Sequence, residues 1–129
     1  MKQKILITGI YGFLGSKLYK KFNKLKNFKV IGIGRNKYKK KFQDSISGDI
    51  NKQNLKKLRF IPDIIIHCAG EGSINNVKKK YGDGYSTIKK VINFYKNKKI
   101  KKFILISSAA VYGEGKNIKP ISLYGEQKL

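Results

Sequence analysis

Acidic side chains are scarce in this chain: 7 stand against 30 basic ones, a formal net charge of +23 on 129 residues. An imbalance of that size points first to a polyanionic partner, either nucleic acid or an acidic membrane surface. Arginine is equally scarce, with 2 residues beside 28 lysines, and arginine is the side chain whose planar fork reads bases. Alanine occurs 3 times, isoleucine 19 and asparagine 10. Lys, Ile and Asn share A/T-rich codons and Ala does not, so genome composition accounts for the charge and no specific nucleic-acid partner is expected. A weak, salt-sensitive affinity for polyanions remains. A single cysteine, Cys68, excludes an internal disulfide framework and suits a reducing cytoplasm. No apolar run approaches the roughly 18 residues of a membrane span, no signal-peptide pattern opens the chain, and no metal site is expected. The length leaves room for one domain with its own core.

What is present alternates strand and helix. Lys4 to Thr8 is a short apolar run long enough for a buried parallel strand. Leu14, Leu18, Phe22 and Leu25 then recur at helical spacing with lysines opposite. Strands are expected over 29–33, 45–50, 63–70 and 103–108, with a brief helix around 54–58 and a longer one over 86–98. Basic segments at 37–41, 78–80 and 96–102 read as solvated loops and helix ends. Five apolar strands separated by helices imply an α/β fold with a parallel sheet and right-handed crossovers.

The first strand runs into Thr8-Gly9-Ile10-Tyr11-Gly12-Phe13-Leu14-Gly15. Gly9 permits a sharp turn off the strand, Gly12 lets backbone approach a pyrophosphate, and Gly15 lets the helix pack closely on the sheet. Helix-start N–H groups and the helix dipole then favour phosphate. At the end of the second strand, where an acid would bond a ribose 2′-hydroxyl, stand Gly34 and Arg35. Arg35 suits a 2′-phosphate, so NADP is favoured over NAD, unless Arg35 simply opens a basic surface loop. A lysine four residues after a tyrosine shares its helix face and favours the phenolate. Four such pairs exist, at Tyr85/Lys89, Tyr95/Lys99, Tyr112/Lys116 and Tyr124/Lys128, and spacing alone does not choose among them. Context favours the last, because Ser107 to Gly113 ends strand five at the carboxyl rim of the sheet and Tyr124 follows a short loop.

Thr8-Gly9 through Gly15, Gly48-Asp49-Ile50, Ile66-His67-Cys68-Ala69-Gly70, Ser107 to Gly113, and Tyr124 with Lys128 stand in an order that resembles the N-terminal part of an extended short-chain dehydrogenase/reductase. That family comprises the NAD(P)-dependent sugar epimerases and dehydratases, and the resemblance implies a Rossmann-type parallel sheet of five strands in the order 3-2-1-4-5, flanked by helices. The resemblance implies that Gly9, Gly12, Phe13, Leu14, Gly15, Arg35, Asp49, Ile50, Ala69 and Gly70 bind the dinucleotide, Asp49 and Ile50 at the adenine. It implies Tyr124 as general acid/base, Ser108 as its hydroxyl partner and Lys128 as the lysine on the nicotinamide ribose. It makes the other three Tyr-x-x-x-Lys pairs structural and His67 a core residue. A nucleotide-sugar substrate, hydride transfer at a sugar carbon, a cytoplasmic enzyme and a homodimer at full length are expectations of the same kind. Residues 1–129 then form one dinucleotide-binding domain cut just after the Tyr-x-x-x-Lys motif, without the part that holds the sugar. An inactive dinucleotide-binding fragment, or one needing a partner for the missing half, is the first alternative; a basic nucleic-acid module is the second. The final turn, with no helix beyond it, is expected to fray, and strand five to stand as an open edge.

Overall fold

β1 (Gln3–Thr8) is apolar on both faces and buried from Ile5 onward, as a strand at the centre of a parallel sheet must be. It pairs in parallel with β2 (Phe28–Gly34) on one side and with β4 (Ile64–His67) on the other. β3 (Ser45–Ser47) lies outside β2 and β5 (Lys102–Leu105) outside β4, giving the all-parallel order β3-β2-β1-β4-β5 expected from the sequence. α1 (Phe13–Asn23) and α2 (Asp83–Tyr95) are the two long helices, and α3 (Leu123–Gln127) closes the chain. The computed structural model describes residues 1–36, 41–52, 55–58, 60–70 and 83–129, the side chains of Asp83 and Gly84 excepted. The lysine run at 78–80 and most of the basic loop at 37–41 lie outside them.

Alternation along β1 divides the core into two layers. Ile5 and Ile7 pack with Ile10, Tyr19, Val30 and Ile66. Leu6 packs on the opposite face with Ile33, Ile65, Leu55, Val91 and Tyr95. Thr8 pairs in register with Ile33 and with His67, and His67 with Leu105, so four strands end level. The strand order reverses between β1 and β4, which is where an open parallel sheet leaves a crevice at its carboxyl edge.

Several elements are shorter than their apolar runs. β3 holds three residues instead of six, because Gly48, at φ +149°, leaves the strand path and the Asp49 carboxylate takes the Asn51 N–H at 2.9 Å. β4 ends at His67, beyond which Cys68 N–H bonds the Thr8 carbonyl at 3.2 Å. β5 gives way after Leu105 to a 3₁₀ turn, Ala109–Tyr112. Among the described residues β5 pairs with β4 alone, and Phe103 and Ile104 on it are exposed, in keeping with an open edge. The final turn, expected to fray, is a five-residue helix with Ser122 accepting the Gly125 N–H at 3.1 Å. No described helix is long and apolar enough to cross a membrane.

Candidate functional site

The turn between β1 and α1 is built from backbone. Gly9 sits at φ +69°, and a Cβ there would come within 2.7 Å of the Ala69 nitrogen, so no side chain fits where β1 passes the end of β4. Gly15 is buried, and a Cβ on it would run into the Gly9 carbonyl. Gly12 is different: it is exposed, and the one close neighbour of its Cβ would be the Gly9 oxygen at 3.2 Å. It is the N-cap of α1 and supplies no side-chain cap, and the first helical turn holds no acid. The opening N–H groups of Phe13, Leu14 and Gly15 therefore lack partners within the helix, and Gly12, Phe13 and Leu14 at its start are exposed, an arrangement that attracts an anion. The Phe13 ring is 80% exposed beside them. Tyr11 anchors the turn by stacking on Phe42 and placing its hydroxyl 2.8 Å from Ser45 Oγ.

The end of β2 and the segment after β3 form one flank. A Cβ on Gly34 would stand 3.3 Å from Gly9 Cα and Ile10 N, so the glycine where an acid was sought answers to the turn beside it. Arg35 follows it, exposed. Asp49 is half-buried, while the Ile50 side chain is 3% exposed and packs in the core; contact with a ligand there falls to Asp49 and the backbone. Asn51 fastens this segment to α2, its Nδ2 reaching Ser86 Oγ and Thr87 Oγ1, both at 3.2 Å, and its carbonyl accepting from Lys90 Nζ.

The other flank is the end of β4. His67 is 1% exposed, with its Nδ1 2.8 Å from Thr8 Oγ1, and the Ala69 N–H donates to the same hydroxyl at 3.2 Å. Burial, and secondarily the nearby Lys128 ammonium, lowers the His67 pKa to about 4. Burial also pushes the Cys68 thiol up to about 11, which makes it an unreactive packing group. The histidine shift has a consequence for stability. Unfolded, the imidazole takes a proton near its ordinary 6.5; folded, it refuses one until about 4. The stability this provides is complete above pH 6.5 and is lost as pH falls to about 4. Loss should reach about 1.4 kcal/mol per pH unit, roughly 3 kcal/mol in all. Urea midpoints at pH 7, 5.5 and 4 check this, and a flat profile contradicts it. Asp63, held below its usual range by the Lys4 backbone N–H and by Lys101, adds a further loss at still lower pH.

The third group comes from β5 and α3. Ser108 caps the 3₁₀ turn, its Oγ accepting the Ala110 N–H at 3.2 Å and keeping its own proton to donate. α3 lies against that turn, since a Cβ on Gly125 would meet the Ala110 carbonyl. Half-buried Tyr124 is thus brought to the element that Ser108 caps. Lys128 ends α3 with its Nζ 5.6 Å from the centre of the Tyr124 ring. The same Nζ lies 3.1 Å from where a Cβ on Gly70 would be, and the Lys128 carbonyl accepts from Ser107 Oγ at 2.7 Å. Lys128 therefore bridges α3 and the end of β4. The other three Tyr-x-x-x-Lys pairs stand elsewhere in the fold. Tyr95 is 4% exposed at the end of α2 with Lys99 beyond it, and Tyr112 closes the 3₁₀ turn before Lys116. Tyr85 and Lys89 share the solvent side of α2. Thr8, Tyr11 and Asn51 were not singled out from sequence, because their partners lie 34 to 61 residues away.

Comparison with known proteins identifies the family and the fold. The model of the NAD dependent epimerase/dehydratase family matches residues 5–129. The chain belongs to that family. Among curated epimerase/dehydratase relatives, the uncharacterized UDP-glucose epimerase YtcB of Bacillus subtilis is 28% identical over 98% of this chain and 48% of its own length. Methionine adenosyltransferase 2 subunit beta of Bos taurus is 35% identical, over 54% of this chain and 20% of its own. A variant of UDP-glucuronic acid 4-epimerase from Bacillus cereus, solved with NAD and a fluorinated UDP-sugar, superposes with a TM-score of 0.82 at 27% identity, covering 98% of this chain and 49% of that one. The chain thus spans at most about half the length of these relatives. The family's dinucleotide fits the residues present: Gly12 leaves open the space a Cβ would take, and the uncapped start of α1 offers N–H donors to a diphosphate.

Proposed function

We propose that this chain is the dinucleotide-binding part of a nucleotide-sugar epimerase or dehydratase, with Tyr124, Lys128 and Ser108 as its reacting residues. The observation that carries the reading is the convergence of Lys128 Nζ on Gly70, whose neighbour Ala69 lies against Gly9 of the bare turn, while α3 holds Tyr124 beside the Ser108-capped turn. Gly12 and the first turn of α1 would hold the diphosphate, Asp49 and Arg35 the adenosine end, and Ala69, Gly70 and Lys128 the second ribose. When bound, the dinucleotide would supply the acceptor for the hydride, hydrogen and electron pair together, that leaves the sugar C–H bond as the carbon is oxidised. Tyr124 takes the proton of the sugar hydroxyl, and the Ser108 hydroxyl donates to the same oxygen, holding it in place. Positioned proton transfer of this kind is worth about 10²–10⁴ in rate. NAD is the dinucleotide of the Bacillus cereus relative, while exposed Arg35 suits the 2′-phosphate of NADP, so both belong in the test. A cytoplasmic isomerase or oxidoreductase is the class this reading implies.

A second reading draws on length. The chain covers 48% of a curated UDP-glucose epimerase, and one relative is named as a subunit of another enzyme. On that reading the chain binds dinucleotide and the sugar is held by residues from elsewhere. Titration with NAD and NADP, followed by UDP-sugars in the presence of the tighter one, separates the two. Saturable binding is expected; binding with turnover favours the first reading, and binding without turnover the second. Failure to bind either dinucleotide overturns both.

A further inference from the structure

His67 and Thr8 have no reacting role in the mechanism above, yet they form a buried polar pair directly beneath the glycine turn. Thr8 Oγ1 has two neighbours, the Ala69 N–H at 3.2 Å and His67 Nδ1 at 2.8 Å. His67 Nε2 is buried without a hydrogen-bond partner among the described residues, and the ring stacks on Phe103 with centroids 6.1 Å apart. The two tautomers of a neutral imidazole distribute these groups differently. If the proton is on Nδ1, it donates to Thr8 Oγ1, which then accepts twice. The threonine proton and the Nε2 lone pair are both left unused. If the proton is on Nε2, the Ala69 N–H donates to Thr8, the Thr8 hydroxyl donates to Nδ1, and a single group, Nε2–H, is left over. Buried polar groups are costly to orphan, so the arrangement with one orphan prevails over the one with two.

We infer that Thr8 and His67 are positioning residues: a one-way hydrogen-bond chain, Ala69 N–H to Thr8 hydroxyl to His67 Nδ1, locks the imidazole as its neutral Nε2–H tautomer and fixes the end of β4 against the Gly9 turn. The placement gives the lock its reach. Gly9 and Ala69 approach so closely that a Cβ on Gly9 would lie 2.7 Å from the Ala69 nitrogen. Gly70, next in the chain, lies under Lys128 Nζ. A slip between β1 and β4 would move the diphosphate turn and the lysine contact together. Adding a proton to His67 would place it on Nδ1, where the Thr8 proton already points, and put a second cation near Lys128. The low affinity of His67 for a proton agrees with this.

This inference rests on the proposed dinucleotide site only for its functional consequence, and its test begins without ligand. His67 is the chain's single histidine, so a long-range proton–nitrogen NMR spectrum reads it without assignment. A protonated Nε2 and an unprotonated Nδ1 are expected at pH 7. In Thr8→Val, which keeps the shape and removes the hydroxyl, both tautomers should appear and the Ala69 amide should shift and exchange faster. Thr8→Ser should keep the wild-type signature. NAD affinity should fall about tenfold in Thr8→Val and stay within about twofold in Thr8→Ser. An Nδ1–H tautomer in the wild type, an unmoved Ala69 amide in folded Thr8→Val, or a serine variant behaving like the valine one overturns the inference. Should the valine variant not fold, the wild-type tautomer and the serine variant decide. Should the wild type bind no dinucleotide, the cofactor reading falls, while the tautomer and the Ala69 amide still decide this one.

Discussion

Gly12→Val is expected to abolish dinucleotide binding while leaving the melting temperature almost unchanged, and Gly15→Val to lose both. The difference follows from what each new side chain meets. Gly12 has ordinary backbone angles, φ −71° and ψ 176°, which valine adopts without strain. Its Cβ would have one near neighbour, the Gly9 oxygen at 3.2 Å, and otherwise open space. The fold accommodates that with a small adjustment, but the isopropyl group then occupies the place proposed for the diphosphate. A loss of at least two orders of magnitude in affinity, about 3 kcal/mol, is expected. Gly15 faces the sheet, where its Cβ would collide with the Gly9 carbonyl and approach Ile10 Cα at 3.0 Å. Both obstacles are backbone, so α1 must lift away from β1, disturbing the packing of Tyr19 with Ile7 and Val30. Overpacking of this kind costs about 1–3 kcal/mol and occasionally more. Calorimetric titration and thermal melts of the two variants, side by side, provide the check. Tight binding by folded Gly12→Val would remove the diphosphate from this turn and with it the proposed function.

The same contrast marks how far the sequence could be read. β1, the glycine turn and α1 are local: apolar run, three glycines and a helical stripe lie within about twenty residues, and each is recoverable from spacing. The parallel sheet followed from the alternation of elements, its order came with the family resemblance, and both held. What sequence could not disclose were contacts that exist only once β1 and β4 lie side by side. Thr8 reads as the last residue of an apolar run, and only its partner 59 positions on makes it half of a buried polar pair. Gly34 reads as a missing acid, whereas in the fold a Cβ there would press on the backbone of Gly9 and Ile10 at 3.3 Å. Ile50 stands beside Asp49 in sequence, but beyond Gly48 the chain leaves β3 and its side chain turns into the core with Leu6 and Ile33. Strand ends were overestimated for one reason at β3 and β4: apolar character continues past the point where a carboxylate, a hydroxyl or a returning carbonyl takes over the backbone hydrogen bonds. The four Tyr-x-x-x-Lys pairs were equivalent by spacing, and burial, helix ends and the contact with Gly70 distinguish them.

That distinction leads to the second large effect. In a chain that turns over a UDP-sugar, Tyr124→Phe is expected to lower turnover by about 10²–10⁴ while leaving dinucleotide affinity within about twofold. Only the phenolic oxygen is removed; the ring beneath Lys128 and the packing of Gly125 on the 3₁₀ turn are retained. Ser108→Ala should lower turnover too, with an added stability cost of about 1 kcal/mol, since the same oxygen caps the turn at Ala110. Lys128→Met should weaken dinucleotide binding as well as turnover, because its ammonium stands over Gly70. It also has a readout that needs no substrate. The Lys128 charge is one cause of the depressed His67 pKa, so its removal should raise that value above about 4, toward but not to 6.5, because burial, the larger cause, persists. A titration of the single histidine follows it directly. If Tyr124→Phe turns over sugar like the wild type, the tyrosine is not the acid/base; if His67 titrates unchanged in Lys128→Met, the lysine does not stand where α3 brings it.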